Sequence, residues 1–201
     1  MRRLLPGLFV VLVLLGACGS PAPAEPPAGP VTATAEIMLY PFTETGEPAP
    51  GITVVDEAEA TCSASTLDLG NPAARRCVTT AGLILHDPCF VRAAPAPDVA
   101  LCVQNPATGQ AVRMTIAQDL GPRPQPELVH APWFLELEDG RWCVPTAGIG
   151  PELDGEKPSF ACGGQDFLYG VPDNRAPVWT IAHRDDGAET TQPVRIRTAW
   201  Y

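Results

Sequence analysis

Trp133-Phe134-Leu135-Glu136-Leu137-Glu138-Asp139-Gly140-Arg141-Trp142-Cys143-Val144 is the stretch on which the fold turns. Apolar and aromatic residues flank Asp139-Gly140 on both sides. Asp-Gly is a favoured two-residue hairpin turn, because both central positions take positive φ. The stretch predicts two antiparallel strands joined by a tight turn. Working outward, strand signals recur. Gln110 to Ile116 alternates: Val112, Met114 and Ile116 face one way, Arg113 and Thr115 the other. Val99 to Val103 is a strand ended by Asn105-Pro106, and Leu83 to Leu85 runs into Asp87-Pro88, which stops it. Phe167 to Tyr169 is a short strand. Val178 to His183 and Val194 to Trp200 are the last two, with Arg184 to Glu189 as the loop between them. Ile37 to Tyr40 and Ile52 to Val55 are weaker strand candidates. Asn71 before Pro72 is the best helical start, and it yields one or two turns at most. Short strands, 24 prolines and 18 glycines predict an all-β or strongly β-rich domain, a small disulfide-stapled antiparallel sheet or barrel.

Seven cysteines stand at 18, 62, 77, 89, 102, 143 and 162. Setting Cys18 aside leaves an even number, as a disulfide framework requires. Six cysteines allow 15 pairings. The expected one is sequential: Cys62 with Cys77, Cys89 with Cys102, and Cys143 with Cys162, each closing a short, turn-rich loop. No Cys-x-x-Cys occurs, so a thioredoxin-like redox site has no support.

Cys18 has a different reading. Arg2 and Arg3 precede Leu4 to Ala17, a stretch without charge and mostly Leu and Val. That is the pattern of a signal-peptide core. It is short of the about 20 apolar residues that cross a bilayer. Leu15-Gly16-Ala17-Cys18 matches a bacterial lipobox, with Cys18 as the thiol that carries the lipid. Acyl chains on Cys18 would anchor the chain in the bilayer, each buried methylene contributing about 0.8 kcal/mol. The expected organisation is a signal peptide over 1–17, a lipidated cysteine and proline-rich tether over 18–36, and an extracytoplasmic β-rich domain over 37–201. The tether carries five prolines between Pro21 and Pro30. Such a segment cannot bury enough surface to offset its ordering entropy, and spans about 3.1 Å per residue where it is polyproline-like.

Beyond residue 60 come Cys62, Pro72-Ala73-Ala74-Arg75-Arg76-Cys77, His86-Asp87-Pro88-Cys89-Phe90, Leu101-Cys102 and Pro132-Trp133. They are followed by Leu137-Glu138-Asp139-Gly140, Cys143, Cys162, Pro177-Val178-Trp179-Thr180 and Ala199-Trp200. This layout resembles a group of uncharacterised exported proteins and lipoproteins from high-GC Gram-positive bacteria. The Asp-Pro-Cys-Phe box and the cysteine order carry most of the likeness. The resemblance implies export and the disulfide-bonded fold, and brings no activity with it. Twelve arginines against one lysine, Lys157, also suit a high-GC genome.

Catalytic constellations are sparse. Ser20, Ser63, Ser65 and Ser159 sit in no Gly-x-Ser-x-Gly elbow, and Lys157 is in no Ser-x-x-Lys arrangement. There is no His-Glu-x-x-His. His86 beside Asp87, and His183 near Asp185 and Asp186, are the candidates for proton transfer, and His86, Asp87 and His183 together are the one catalytic alternative. Asp87 before Pro88 reads equally as a turn former. The acidic runs Glu152 to Glu156 and Asp185 to Glu189 read as solvated turns rather than calcium loops, because neither has the ligand spacing. No cofactor or metal is assigned.

Charge excludes one class of partner. Without Arg2 and Arg3 the chain carries 11 basic against 23 acidic side chains, a net −12. A nucleic-acid binder needs a basic patch, and none is visible. The remaining signal is aromatic. Trp133, Trp142, Tyr169 and Trp179 are candidate contacts for an envelope protein, peptide or glycan, against a core role for most of the tryptophans. The reading favoured by the sequence is a non-enzymatic binding module anchored through Cys18. Its alternatives are the His86, Asp87 and His183 enzyme and a small-ligand or solute-binding lipoprotein.

Overall fold

In a computed structural model the described residues are 29–68, 70–121, 131–146 and 148–201. The signal-peptide segment, Cys18 and His130 lie outside them. The described residues form twelve strands and no helix: β1 Ala35–Ile37, β2 Thr53–Ala64, β3 Ala74–Thr79, β4 Leu85–Val91, β5 Val99–Asn105, β6 Gln110–Asp119, β7 Phe134–Leu137, β8 Trp142–Pro145, β9 Pro158–Ala161, β10 Phe167–Asp173, β11 Thr180–Arg184 and β12 Gln192–Trp200. The all-β expectation holds, with two closed sheets in place of one.

Strands β2 to β6 close a barrel, the last pair, β2 with β6, running parallel. Strands β7 to β12 close a second ring, because β12 pairs with both β11 and β7. The period-two pattern decides which side chains face inward. The first interior holds Ala60, Val91, Ala100, Val112, Met114 and four of the cysteines. The second holds Leu135, Leu137, Phe160, Leu168, Trp179, Ile181 and Ile196. Alanines and disulfides suit the narrow five-stranded barrel, which leaves little room for larger side chains.

The sequential pairing is the one found: Cys62–Cys77, Cys89–Cys102 and Cys143–Cys162. Each joins residues opposite one another on adjacent antiparallel strands. Cys62 faces Cys77 directly, and the other two pairs lie one step from Phe90↔Leu101 and Val144↔Ala161.

Several local expectations change. The Asp139-Gly140 hairpin exists, but Leu137 N–H donates to Arg141 O and leaves a three-residue loop, 138–140. Only Gly140 takes positive φ there, 86°. A three-residue loop needs a left-handed residue only at its end. Asn71 starts no helix; its Oδ1 accepts from Ala73 N–H in a turn that feeds β3. Pro88 does not stop β4, which runs on through it to Val91.

The fold also begins before Ile37, which corrects the 18–36 tether. Val31 is buried. Its N–H donates to Glu138 Oε1, and its carbonyl accepts from Arg195. Thr34 Oγ1 donates to Ile196 O and accepts from Trp179 N–H. The proline run ends at Pro30, so residues 31–36 are free to pair, and β1 adds parallel to β12. From there the chain crosses to the first barrel, where Leu39, Phe42, Ile52 and Val54 pack on Leu101, Val103 and Ala111. Gly109 admits this strap: at φ 67° a Cβ there would lie 1.9 Å from Gly51 O.

The two rings share an aromatic seam. Ala74 and Phe90 of the first meet Trp133, Phe134 and Trp200 of the second. Phe90–Trp133 and Trp133–Phe134 ring centroids are 6.1 and 6.0 Å apart, and Phe134 meets Trp200 edge-on at 5.4 Å.

One ion pair braces the first barrel. Arg75 on β3 is buried, bonds Asp119 on β6 at 2.9 Å, and also donates to Pro72 O and Ala74 O. Burial works to raise the Asp119 pKa, but hydrogen bonds from Arg75 and the Gly121 N–H together with the Arg75 charge outweigh it, and the net direction is downward from 3.8. A carboxylate whose folded value is depressed contributes stability above the unfolded value and loses it as pH falls through the folded one. Asp119→Asn is therefore expected to cost about 2 kcal/mol at neutral pH. It should also flatten the loss of stability below about pH 4. Urea unfolding of both chains at neutral and acid pH measures this, and an unchanged difference between them across that range would refute it.

Candidate functional site: a cleft between the barrels

The β4–β5 ladder consists of Phe90↔Leu101 and Val91↔Ala100. One step on, Cys89–Cys102 stitches the strands, and beyond it they part. Leu85 to Pro88 keep β3 on one side, and Cys102 to Gln104 keep β6. Proline lacks the N–H a ladder needs, so Pro88 fits where the neighbouring strand has left. The opened seam is a cleft of about 260 Å³, closed on its other side by Trp133, Phe134, Val144 and Pro145 of the second ring.

Its polar groups differ in availability. Asp87 is committed to structure: it accepts from Ser65 Oγ and from the N–H and Oγ1 of Thr66, at 2.9 and 2.6 Å for the two Thr66 bonds. His86 is half-buried, and burial lowers its pKa, opposed by the charge of Asp56. Trp133 is 3% exposed, and its Nε1–H has no acceptor among the described residues. A buried donor left unpaired costs about 1–3 kcal/mol. The rim is apolar: Leu85 and Val144 are exposed, and Leu83 and Ile84 extend the surface along the β3–β4 turn.

The candidate residues do not form one platform. Trp133, Tyr169 and Trp179 are buried, and Trp142 is exposed beside Val144 on β8. Tyr169 donates to Pro151 O, and Trp179 belongs to the second core, so neither offers a face to a ligand. Of the four, Trp133 lines the cleft. Leu85 and Val144, its apolar rim, carry no sequence signal beyond an apolar residue next to a strand end.

His183 is not among the residues that line the cleft with His86 and Asp87. It is buried on β11, where Arg141 Nη1 lies 2.9 Å from its Nε2 and Asp185 3.6 Å from its Nδ1. Arg141 also pairs with Asp139 and Asp166, tying the β7–β8 turn to the segment before β10. Asp166, His183 and Asp185 come close enough together to suggest a metal site, but the Arg141 guanidinium already engages Asp166 and His183 Nε2. Cys77, Cys89 and Cys102 also cluster, as halves of two neighbouring disulfides that hold no thiolate.

No protein-family model, curated protein or solved structure matches this chain.

Proposed function

We propose that this chain is a membrane-anchored extracytoplasmic lipoprotein that acts as a non-enzymatic binding module in the cell envelope. The cleft between its barrels is the capture site for an apolar segment of a partner protein or peptide. The observation that carries the reading is the cleft of about 260 Å³ between the two rings, with exposed Leu85 and Val144 among its lining residues. Support for the anchor comes from Leu15-Gly16-Ala17-Cys18 after its apolar run, and from a chain whose other six cysteines are all paired. A volume of 260 Å³ is below the roughly 300–1,000 Å³ of drug- and cofactor-sized sites, so one side chain with its flanking groups fits better than a cofactor. A glycan surface would use exposed aromatic faces, and Trp142 is the one exposed tryptophan.

Two comparisons in the native cell test this. Cys18→Ala is expected to move the chain from the membrane fraction to the soluble fraction. A photoreactive residue at Val144 is expected to give a discrete adduct that Leu85→Glu removes, while the same residue at Val171, exposed and outside the cleft lining, gives none. Equal adducts from both positions, or an adduct indifferent to Leu85→Glu, would overturn the capture site. An unchanged membrane fraction would overturn the anchor.

A further inference from the structure

We propose that the second ring carries a pocket for a primary ammonium group on a short apolar body, lined by Glu36, Met38, Asn174 and Tyr201, with the Glu36 carboxylate as counter-charge. This goes beyond the capture cleft, with which the pocket shares no lining residue.

Three segments build the pocket. β1 and the residues after it supply Glu36 and Met38, Tyr201 follows β12, and Asn174 stands in the turn after β10. Backbone bonds fix them: Tyr201 N–H donates to Ile37 O, Leu39 N–H to Tyr201 O, and Thr34 N–H to Pro177 O. Arg175 N–H donates to Asp173 Oδ1 and so shapes the turn that carries Asn174. The Tyr201 ring packs against the second core, which holds its hydroxyl in place. The space is about 440 Å³, within the roughly 300–1,000 Å³ of small-molecule sites. Its lining is open to solvent: Glu36, Met38 and Asn174 are exposed and Tyr201 is partly so.

Charge and hydrogen bonding name the ligand. Among the described residues, the Glu36 carboxylate, the Asn174 carboxamide and the Tyr201 hydroxyl have no hydrogen-bond or ion-pair partner. The basic side chains nearest the lining in sequence are engaged elsewhere: Arg175 by Asp173, and Arg197 by Glu136 and Glu138 O. Glu36 therefore keeps an uncompensated negative charge. Burial, and after it the Glu36 charge, raises the Tyr201 pKa, so carboxylate and phenol stand within each other's field. In a chain of net charge −10 such a pocket draws cations and repels anions. An ammonium donates up to about three hydrogen bonds, and the Glu36, Asn174 and Tyr201 side chains all offer acceptor oxygens. Met38 and the Tyr201 ring give apolar surface to the body of the ligand. A calcium ion suits the lining poorly, because it takes about six to eight oxygens and Glu36 is the one acidic side chain here.

The test uses full-length protein with ¹³C-labelled methionine methyls. Met38 reports on the pocket, and Met114, fully buried in the first barrel, is the internal control. Met38→Leu assigns the reporter. The probes, at matched ionic strength, are n-butylammonium, butyltrimethylammonium with the charge but no N–H, anionic butyrate and neutral 1-butanol. Butylammonium should shift the Met38 methyl saturably, with a Kd of about 1–10 mM, and leave Met114 in place. The other three probes should bind at least about fivefold more weakly, and Glu36→Gln should weaken butylammonium by at least about fivefold, the loss of a charge-assisted hydrogen bond. If Glu36→Gln disturbs Met114, Asn174→Ala, in an exposed turn, is held to the same threshold. No saturable Met38 shift, a smaller preference for butylammonium, or a smaller loss in the variant would overturn the pocket.

Discussion

Replacing Cys143 and Cys162 together with alanine is expected to cost about 3 kcal/mol, within the range for native disulfides in small exported domains. The three disulfides close loops of similar length, with separations of 15, 13 and 19 residues. Loop entropy depends only logarithmically on length, so length alone does not rank them. Position does. In the first barrel, Cys62–Cys77 and Cys89–Cys102 lie side by side, and each remains when the other is removed. Among the described residues the second ring has Cys143–Cys162 alone, joining β8 to β9. The β8–β9 ladder is short, with Val144↔Ala161 and Pro145↔Phe160 as its pairs. Removing the bridge leaves that seam with its weakest pairing and a hollow beside buried Cys143. Guanidinium unfolding with a measured m-value checks this. A loss below about 1 kcal/mol at unchanged m would mean the ladder and core hold the seam unaided. Cys62→Ala with Cys77→Ala should cost less than the second-ring pair.

How much of this was legible depended on range. The Asp139-Gly140 hairpin, the Val112-Met114-Ile116 alternation and the sequential disulfides could be read, because each rests on residues near in sequence. Cross-strand cysteines at the two ends of one turn-rich segment are a local signal. What closes the rings is not local. Pairing β2 with β6 in parallel, and β12 with β7, joins segments more than fifty residues apart, and no pattern within either strand names its partner. The misread details share a cause as well. Asn71 and Pro72 suit a turn and a helix start equally, and tertiary pairing of Ala74 to Thr79 chose the turn. Pro88 reads as a strand stop, yet it is tolerated where the neighbour is absent. That absence is the cleft, so the residue that misled the strand reading also marks the candidate site. The aromatic residues could be ranked as core or surface only in part: Trp200 lies in a strand whose inner face the alternation suggests, Trp179 stands just before β11, and Trp142 alternates outward from Cys143.

Trp200→Ala is expected to cost about 4 kcal/mol, in the upper part of the usual range for a buried aromatic cut to alanine. Trp200 is 5% exposed and stands where three elements meet. It pairs with Phe134 of β7 and with Ile37 of β1, and its carbonyl accepts from Trp133 N–H. Its ring packs edge-on against Phe134, which touches Trp133, which touches Phe90 of the first barrel. Truncation removes one end of that chain and leaves a void that the surrounding β-ladders hold open, since backbone pairing limits relaxation. Among the described residues the seam is an apolar contact that joins the two rings, beside the strap over residues 31–54. Weakening it should therefore uncouple them as well as destabilise them. Wild-type unfolding is expected to give coincident transitions by tryptophan fluorescence and far-ultraviolet circular dichroism. In Trp200→Ala the two probes should separate, because each ring then melts closer to its own stability. A cooperative, coincident transition merely shifted downward would show that the strap, and not the aromatic seam, couples the barrels. Trp142→Ala supplies the contrast: that ring is exposed, and its removal should stay within about 0.5 kcal/mol, as surface substitutions do.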